Sequence, residues 1–168
     1  AGVLGPVEVR EKGLRALAGM DEAQFRRECL QWYREEIAHL VTHAARREVE
    51  LRRDQGHVLA VLSASTEYVT GPLAASLGIE HVLCTTLGVD SAGLFTGDAS
   101  LCYGETKLAR ATAWASEHGI DLARSSFYTD SVSDLPVLNA VGEPRVVNPD
   151  PRLRLRAALQ GWPIDIWR

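Results

Sequence analysis

From residue 57 to the C-terminus, short apolar runs alternate with helix-patterned segments, and few folds accept that rhythm. His57-Val-Leu-Ala-Val-Leu62 is a continuous apolar run, the pattern of a strand buried on both faces. Residues 66–77 read as a helix stopped by Gly78, and His81-Val-Leu-Cys84 as a second strand. Gly88, Gly93 and Gly97 break residues 85–103 into a hairpin-like excursion. Residues 105–118 carry Leu108, Ala111 and Ala115 on one helical face and end at Gly119. Ser126-Phe-Tyr-Thr129 predicts a third strand, followed by a helix through Leu138. Arg145-Val-Val-Asn148 predicts a fourth, residues 151–160 a helix, and Trp162 to Trp167 a last strand. Strands alternating with helices imply an α/β fold with a parallel sheet covered on both faces.

Upstream the texture is helical. Asp21 is placed to cap a helix whose Phe25, Cys29, Tyr33 and Ile37 recur every fourth residue. Thr42 opens a second helix that stops at Gly56, with Glu48 and Arg52 at supporting i,i+4 spacing. At 168 residues the chain fits one domain, or one with a small satellite. The texture changes near residue 57, from helical to α/β.

A net charge of −4 argues against a nucleic-acid partner, which requires a basic face. No apolar run approaches the roughly 18 residues of a membrane span, and the N-terminus has no leader-like stretch. Cys29, Cys84 and Cys102 are odd in number, far apart and in no metal pattern, so buried free thiols in a reducing cytoplasm are expected.

In parallel α/β sheets ligands bind beyond the carboxyl ends of the strands. Ser63 stands at the end of the first strand, within VLSAST, and Asp130 at the end of the third, within FYTDSVSDLPVL, with Asp134 at i+4. Lys107 lies between them at a helix start. A hydroxyl, an ammonium and two carboxylates suit phosphoryl transfer, where charge on three non-bridging oxygens must be held. The hydroxyl of Ser63 and nearby backbone N–H groups can donate to phosphate, and Lys107 supplies a point charge. Asp130 and Asp134 can hold Mg²⁺, which takes few carboxylates and fills its shell with water and phosphate oxygens.

With these pieces in this order, the sequence resembles the haloacid dehalogenase (HAD) superfamily, and within it the phosphoserine-phosphatase-like subfamily IB. Ser63 matches the second motif, Lys107 the third, and T-D-S-V-S-D with Asp130 and Asp134 the fourth. The closing stretch VVNPDPRLRLRAALQGWPIDIW is also similar to this subfamily, so the likeness runs from about Leu14 to the end. The resemblance implies a Rossmann-like core with a partial helical cap over residues 1–41. It implies a Mg²⁺-dependent hydrolase of a small phosphorylated metabolite such as phosphoserine or histidinol phosphate. Ser63 and Lys107 would be catalytic, Ser63, Ala64 and Lys107 would bind phosphate, Asp130 and Asp134 the metal, and Ser131 and Ser133 would support them.

The departure is the family's first motif, D-x-D-x-[TV], whose first aspartate is the nucleophile. No D-x-D occurs in the 168 residues. By the resemblance that motif would lie upstream of Ala1 on a central strand, whose loss would leave its neighbours with unpaired backbone groups. The chain as given is therefore expected to turn over no substrate. A non-catalytic phosphate- or partner-binding protein is the other reading, and a plain interaction module a third; oligomeric state is left open.

Each residue also has a plainer role. Ser63, Ser65 and Thr66 can start a helix, Asp130 and Asp134 can serve a turn and a cap, and Lys107 can be a surface lysine. His39 and His43 have metal-ligand spacing on a helix but no third ligand, so a surface or cap–core contact is expected. Trp32 and Tyr33 are expected to pack the helical part, or one of them to line the substrate pocket, and Trp114, Trp162 and Trp167 to pack the sheet margins.

Overall fold

A computed structural model describes residues 12–168. The described chain divides into two compact units. The first joins residues up to Val41 with Gln55–Cys102, and the second joins Thr42–Asp54 with Tyr103–Arg168.

In the first unit α1 (Glu22–Trp32) starts where expected, Asp21 accepting the Gln24 N–H at 2.6 Å. It then widens into a π-turn over Tyr33–Ile37 and tightens into a 3₁₀ turn over Ala38–Leu40. The π-turn changes the helical phase, so the every-fourth-residue face is not continued past Trp32. Tyr33 is buried and its hydroxyl pairs with Ser76 Oγ at 2.9 Å, whereas Trp32 is 46% exposed and packs little, against expectation. His39 sits in the 3₁₀ turn and His43 opens α2, so the two histidines do not share a helix.

β1 (Ala60–Thr66) runs parallel to β2 (His81–Val89), which pairs antiparallel with β3 (Phe95–Ser100). The excursion is thus a true hairpin. β1 begins three residues later than the apolar run and continues past Ser63, so Ser63 is inside the strand rather than at its end. Nor is β1 buried on both faces: Val58 before it is 54% exposed and Val61 and Leu62 are only partly covered. The reason is its place, since among the described residues β1 pairs with β2 alone. α3 (Glu67–Ser76) follows β1 directly. Phe25 of α1, Tyr68 of α3 and Phe95 of β3 meet edge to face at 5.2–5.7 Å, a geometry worth about 0.5–1.5 kcal/mol per pair beyond area burial. Cys84 and Cys102 are buried free thiols as expected, but Cys29 is partly exposed.

In the second unit α2 (His43–Asp54) is capped by Thr42, whose hydroxyl accepts the Ala45 N–H at 3.2 Å. α4 (Glu105–Glu117) precedes β4 (Ser126–Thr129) and α5 (Leu135–Leu138). β5 (Glu143–Val147), α6 (Pro151–Gln160) and β6 (Ile164–Asp165) complete it. β4, β5 and β6 form an all-parallel sheet in that order. Leu138, Val146, Leu153 and Ala157 are its core, at most 1% exposed. Each such aliphatic side chain contributes roughly 1.5–3 kcal/mol on burial, the alanine less. Trp162 packs against this core, Trp167 against Tyr128, and Trp114 stacks on His118. Among the described residues six strands thus form two three-stranded sheets, in which the motif-bearing strands β1 and β4 each come first in the strand order.

Candidate active site

The fourth-motif loop is built from residues that sequence spacing placed only in part. β4 ends at Thr129, and Asp130 is the first residue beyond it. Ser131 then caps a 3₁₀ turn, Val132–Asp134, its hydroxyl accepting the Ser133 N–H at 3.3 Å and pairing with Ser133 Oγ at 2.9 Å. The turn brings Asp134 back beneath the strand end, where it is 5% exposed.

α4 delivers the cation. Gly104, at a positive φ of +56° that favours glycine, turns the chain into the helix, and Lys107 follows in its first turn. Lys107 is 4% exposed, and its Nζ donates to Asp134 Oδ1 at 2.6 Å. The other carboxylate oxygen, Oδ2, accepts the Thr129 hydroxyl at 2.7 Å, and Thr129 Oγ1 in turn accepts the Ser131 N–H at 3.2 Å. A buried ion pair offsets its desolvation only with good geometry and extra hydrogen bonds, and this pair has both. Asp134 therefore gives one oxygen to Lys107 and the other to Thr129, while Asp130 is exposed.

Asp150 holds the loop from behind. Its N–H donates to the Asp130 carbonyl at 2.8 Å, and its Oδ2 accepts the Val132 N–H at 2.7 Å. Its Oδ1 accepts the Arg152 and Leu153 N–H groups, capping α6. Burial pushes its carboxyl up, but the N–H donors of Leu153, Val132 and Arg152 outweigh that and hold it below the usual range. Sequence spacing passed over both Thr129 and Asp150. The signal for Asp150 was local, an acidic residue before Pro151 at a helix start.

Ser63 and Ala64 belong to the first unit. Ser63 lies where the β1–β2 register shifts, between Leu62 and Thr66, and its Oγ accepts the Ser65 N–H at 3.1 Å. Ala64, Ser65, Thr66, Val69 and Thr85 line a cleft of about 330 Å³ with Leu14. A second hollow, about 420 Å³ along α1, is lined by residues such as Arg27 and Glu35 and holds none of these groups.

Parallel β-α-β units with a buried lysine–aspartate pair beyond the strand ends define a Rossmann-like α/β protein. The chain belongs to the haloacid dehalogenase-like hydrolases, whose family model matches residues 1–139. It is 37% identical over 148 residues to a probable phosphatase of Mycobacterium tuberculosis, covering 88% of this chain and 51% of that protein. It is 33% identical to a histidinol-phosphatase of Neisseria meningitidis, over 84% of this chain and 65% of the relative. A phosphoserine phosphatase of M. tuberculosis is 30% identical over 95% of this chain and 52% of its own length. The chain thus spans about half the length of the two M. tuberculosis relatives and 65% of the N. meningitidis one. A protein of unknown function from Bordetella pertussis superposes with a TM-score of 0.89 at 30% identity, over 98% of this chain and 75% of that one. A phosphoserine phosphatase solved as a phospho-aspartyl intermediate analogue gives a TM-score of 0.64 at 18% identity, over 93% of this chain and 69% of that one, a likeness of fold.

Proposed function

We propose that the protein is a Mg²⁺-dependent phosphomonoester hydrolase of the aspartyl-phosphate type, acting on a small phosphorylated metabolite. The observation that carries this is the buried Lys107–Asp134 pair, with Asp134 in the same loop after β4 as the exposed Asp130. Lys107, held by Asp134, would neutralise a phosphoryl oxygen as a fixed point charge. Ser63 would donate its hydroxyl, and the backbone around Ala64 its N–H groups, to phosphoryl oxygens. Ser131 and Ser133 support the loop that carries Asp130.

The donor set suits Mg²⁺. Among the described residues no group of three or more His, Cys, Asp or Glu is arranged to hold a metal, and Mg²⁺ needs only one or two carboxylates. Asp130 would hold it directly and Asp134 through water. When bound, the ion would supply positive charge that offsets the developing charge on the phosphoryl group.

The nucleophile would be an aspartate of a D-x-D-x-[TV] segment outside the 168 residues, on a strand that pairs with the open edge of β1 or of β4. The relatives' names point to histidinol phosphate and phosphoserine as the first substrates to try. The experiment reads the coding DNA upstream of Ala1 and measures phosphate release from both esters, with and without Mg²⁺. Mg²⁺-dependent release by a protein carrying that segment, lost in Asp130→Ala, is expected, and none by the 168-residue chain. A reading frame without D-x-D, together with phosphate binding but no release, would instead favour the non-catalytic binder.

A further inference from the structure

Thr85 is a buried hydroxyl, 2% exposed, that the proposed reaction leaves unused. It lies on β2 opposite Thr66, at the end of the stretch where β1 slips register against β2. Within that stretch the Ala64 carbonyl accepts its hydrogen bond from Thr85 Oγ1, at 2.9 Å. The same hydroxyl oxygen accepts the N–H of Cys102 at 3.1 Å. Cys102 is fully buried and stands five positions before Lys107. Thr85 is thus gripped from one side and grips from the other, so its rotamer and its O–H direction are both set.

The consequence reaches Ser63 through one peptide unit. In a trans peptide the N–H points opposite to the carbonyl. With the Ala64 carbonyl drawn onto Thr85, the Ser65 N–H points the other way, where Ser63 Oγ accepts it at 3.1 Å. A serine hydroxyl that accepts a backbone N–H keeps its own proton free to donate. We propose that Thr85 is a positioning residue: by holding the Ala64–Ser65 peptide it presents the Ser63 hydroxyl as a hydrogen-bond donor to phosphate. This rests on the phosphate-binding role of Ser63 proposed above.

The test titrates the 168-residue chain with orthophosphate, followed by ³¹P and ¹⁵N NMR, in the wild type, Ser63→Ala, Thr85→Val and Thr85→Ser. Thr85→Val keeps the shape and removes the hydroxyl, and roughly tenfold weaker binding is expected, the size of one lost hydrogen bond. Thr85→Ser keeps the hydroxyl and should bind within about twofold of wild type. Rescue by serine separates positioning from packing, because serine lacks the methyl that packing would need. If Ser63→Ala weakens binding but Thr85→Val does not, or Thr85→Ser is as weak as Thr85→Val, the inference is overturned while the role of Ser63 stands. If the wild type binds no phosphate, or Ser63→Ala binds as well as wild type, the role of Ser63 fails and the inference with it. Should Thr85→Val not fold, Thr85→Ser decides alone: wild-type binding supports the role and tenfold loss ends it.

Discussion

Lys107 and Asp134 show how a residue becomes committed by its surroundings. Each is almost fully buried, and each compensates the other's charge. Removing one partner leaves the other as an unpaired buried ion, which costs about 3–5 kcal/mol. Lys107→Ala should therefore lower the unfolding free energy by about that much in urea titration. Thr129→Val, which takes away one neutral donor to the carboxylate, should cost about 1–2 kcal/mol. Gly142 is constrained by space rather than charge. A Cβ there would lie 1.9 Å from the backbone oxygen of Ala123, and that backbone cannot rotate aside like a side chain. Gly142→Ala should cost about 2 kcal/mol in the same assay; a variant as stable as wild type would show that the two segments part easily.

At the scale of elements, two ties between distant segments shape the second unit. Asp150 caps α6 and holds the Asp130–Val132 loop at once. Asp150→Ala should cost about 1–2 kcal/mol, the worth of a helix cap. Because its folded carboxyl is held below the ordinary range, its contribution is complete above that range and fades as pH falls through the folded value. Melting curves from pH 7 to pH 3 should accordingly fall less steeply for Asp150→Asn than for the wild type. The second tie fastens α2 to β4, where Tyr128 donates its hydroxyl to Glu48 and the Arg52 guanidinium sits 5.9 Å from its ring. Burial, and then the hydrogen bond to Glu48, push the Tyr128 phenol up to about 12, while that same bond first of all holds Glu48 down. The raised phenol value means its share of stability is present below the ordinary tyrosine range and is lost as pH rises towards 12. Tyr128→Phe should remove that alkaline dependence, read as melting temperature between pH 8 and pH 12.

At the scale of the molecule, the chain crosses between its two compact units three times, after Val41, Asp54 and Cys102. Among the described residues each unit carries a three-stranded sheet in which the motif strand pairs on one side. Amides of β1 directed away from β2 should exchange with deuterium on the order of 100-fold faster than those of β2 paired on both sides; equal protection would mean the β1 edge is covered. What the sequence determined was local and periodic. Residues 126–129 and 151–160 matched their strand and helix to the residue, and Asp21 and Thr42 capped their helices, because spacing and cap chemistry act within a few positions. The order of Ser63, Lys107, Asp130 and Asp134 likewise carried the family resemblance that the family model bears out. The tertiary structure alone decided that Asp134 spends itself on Lys107, 27 residues away, and that Asp150 reaches 18 residues back to Val132. It also set where β1 slips register, and the π-turn at Tyr33. Partners so far apart in the chain leave no periodic trace, and only the folded backbone brings their polar atoms within hydrogen-bonding reach.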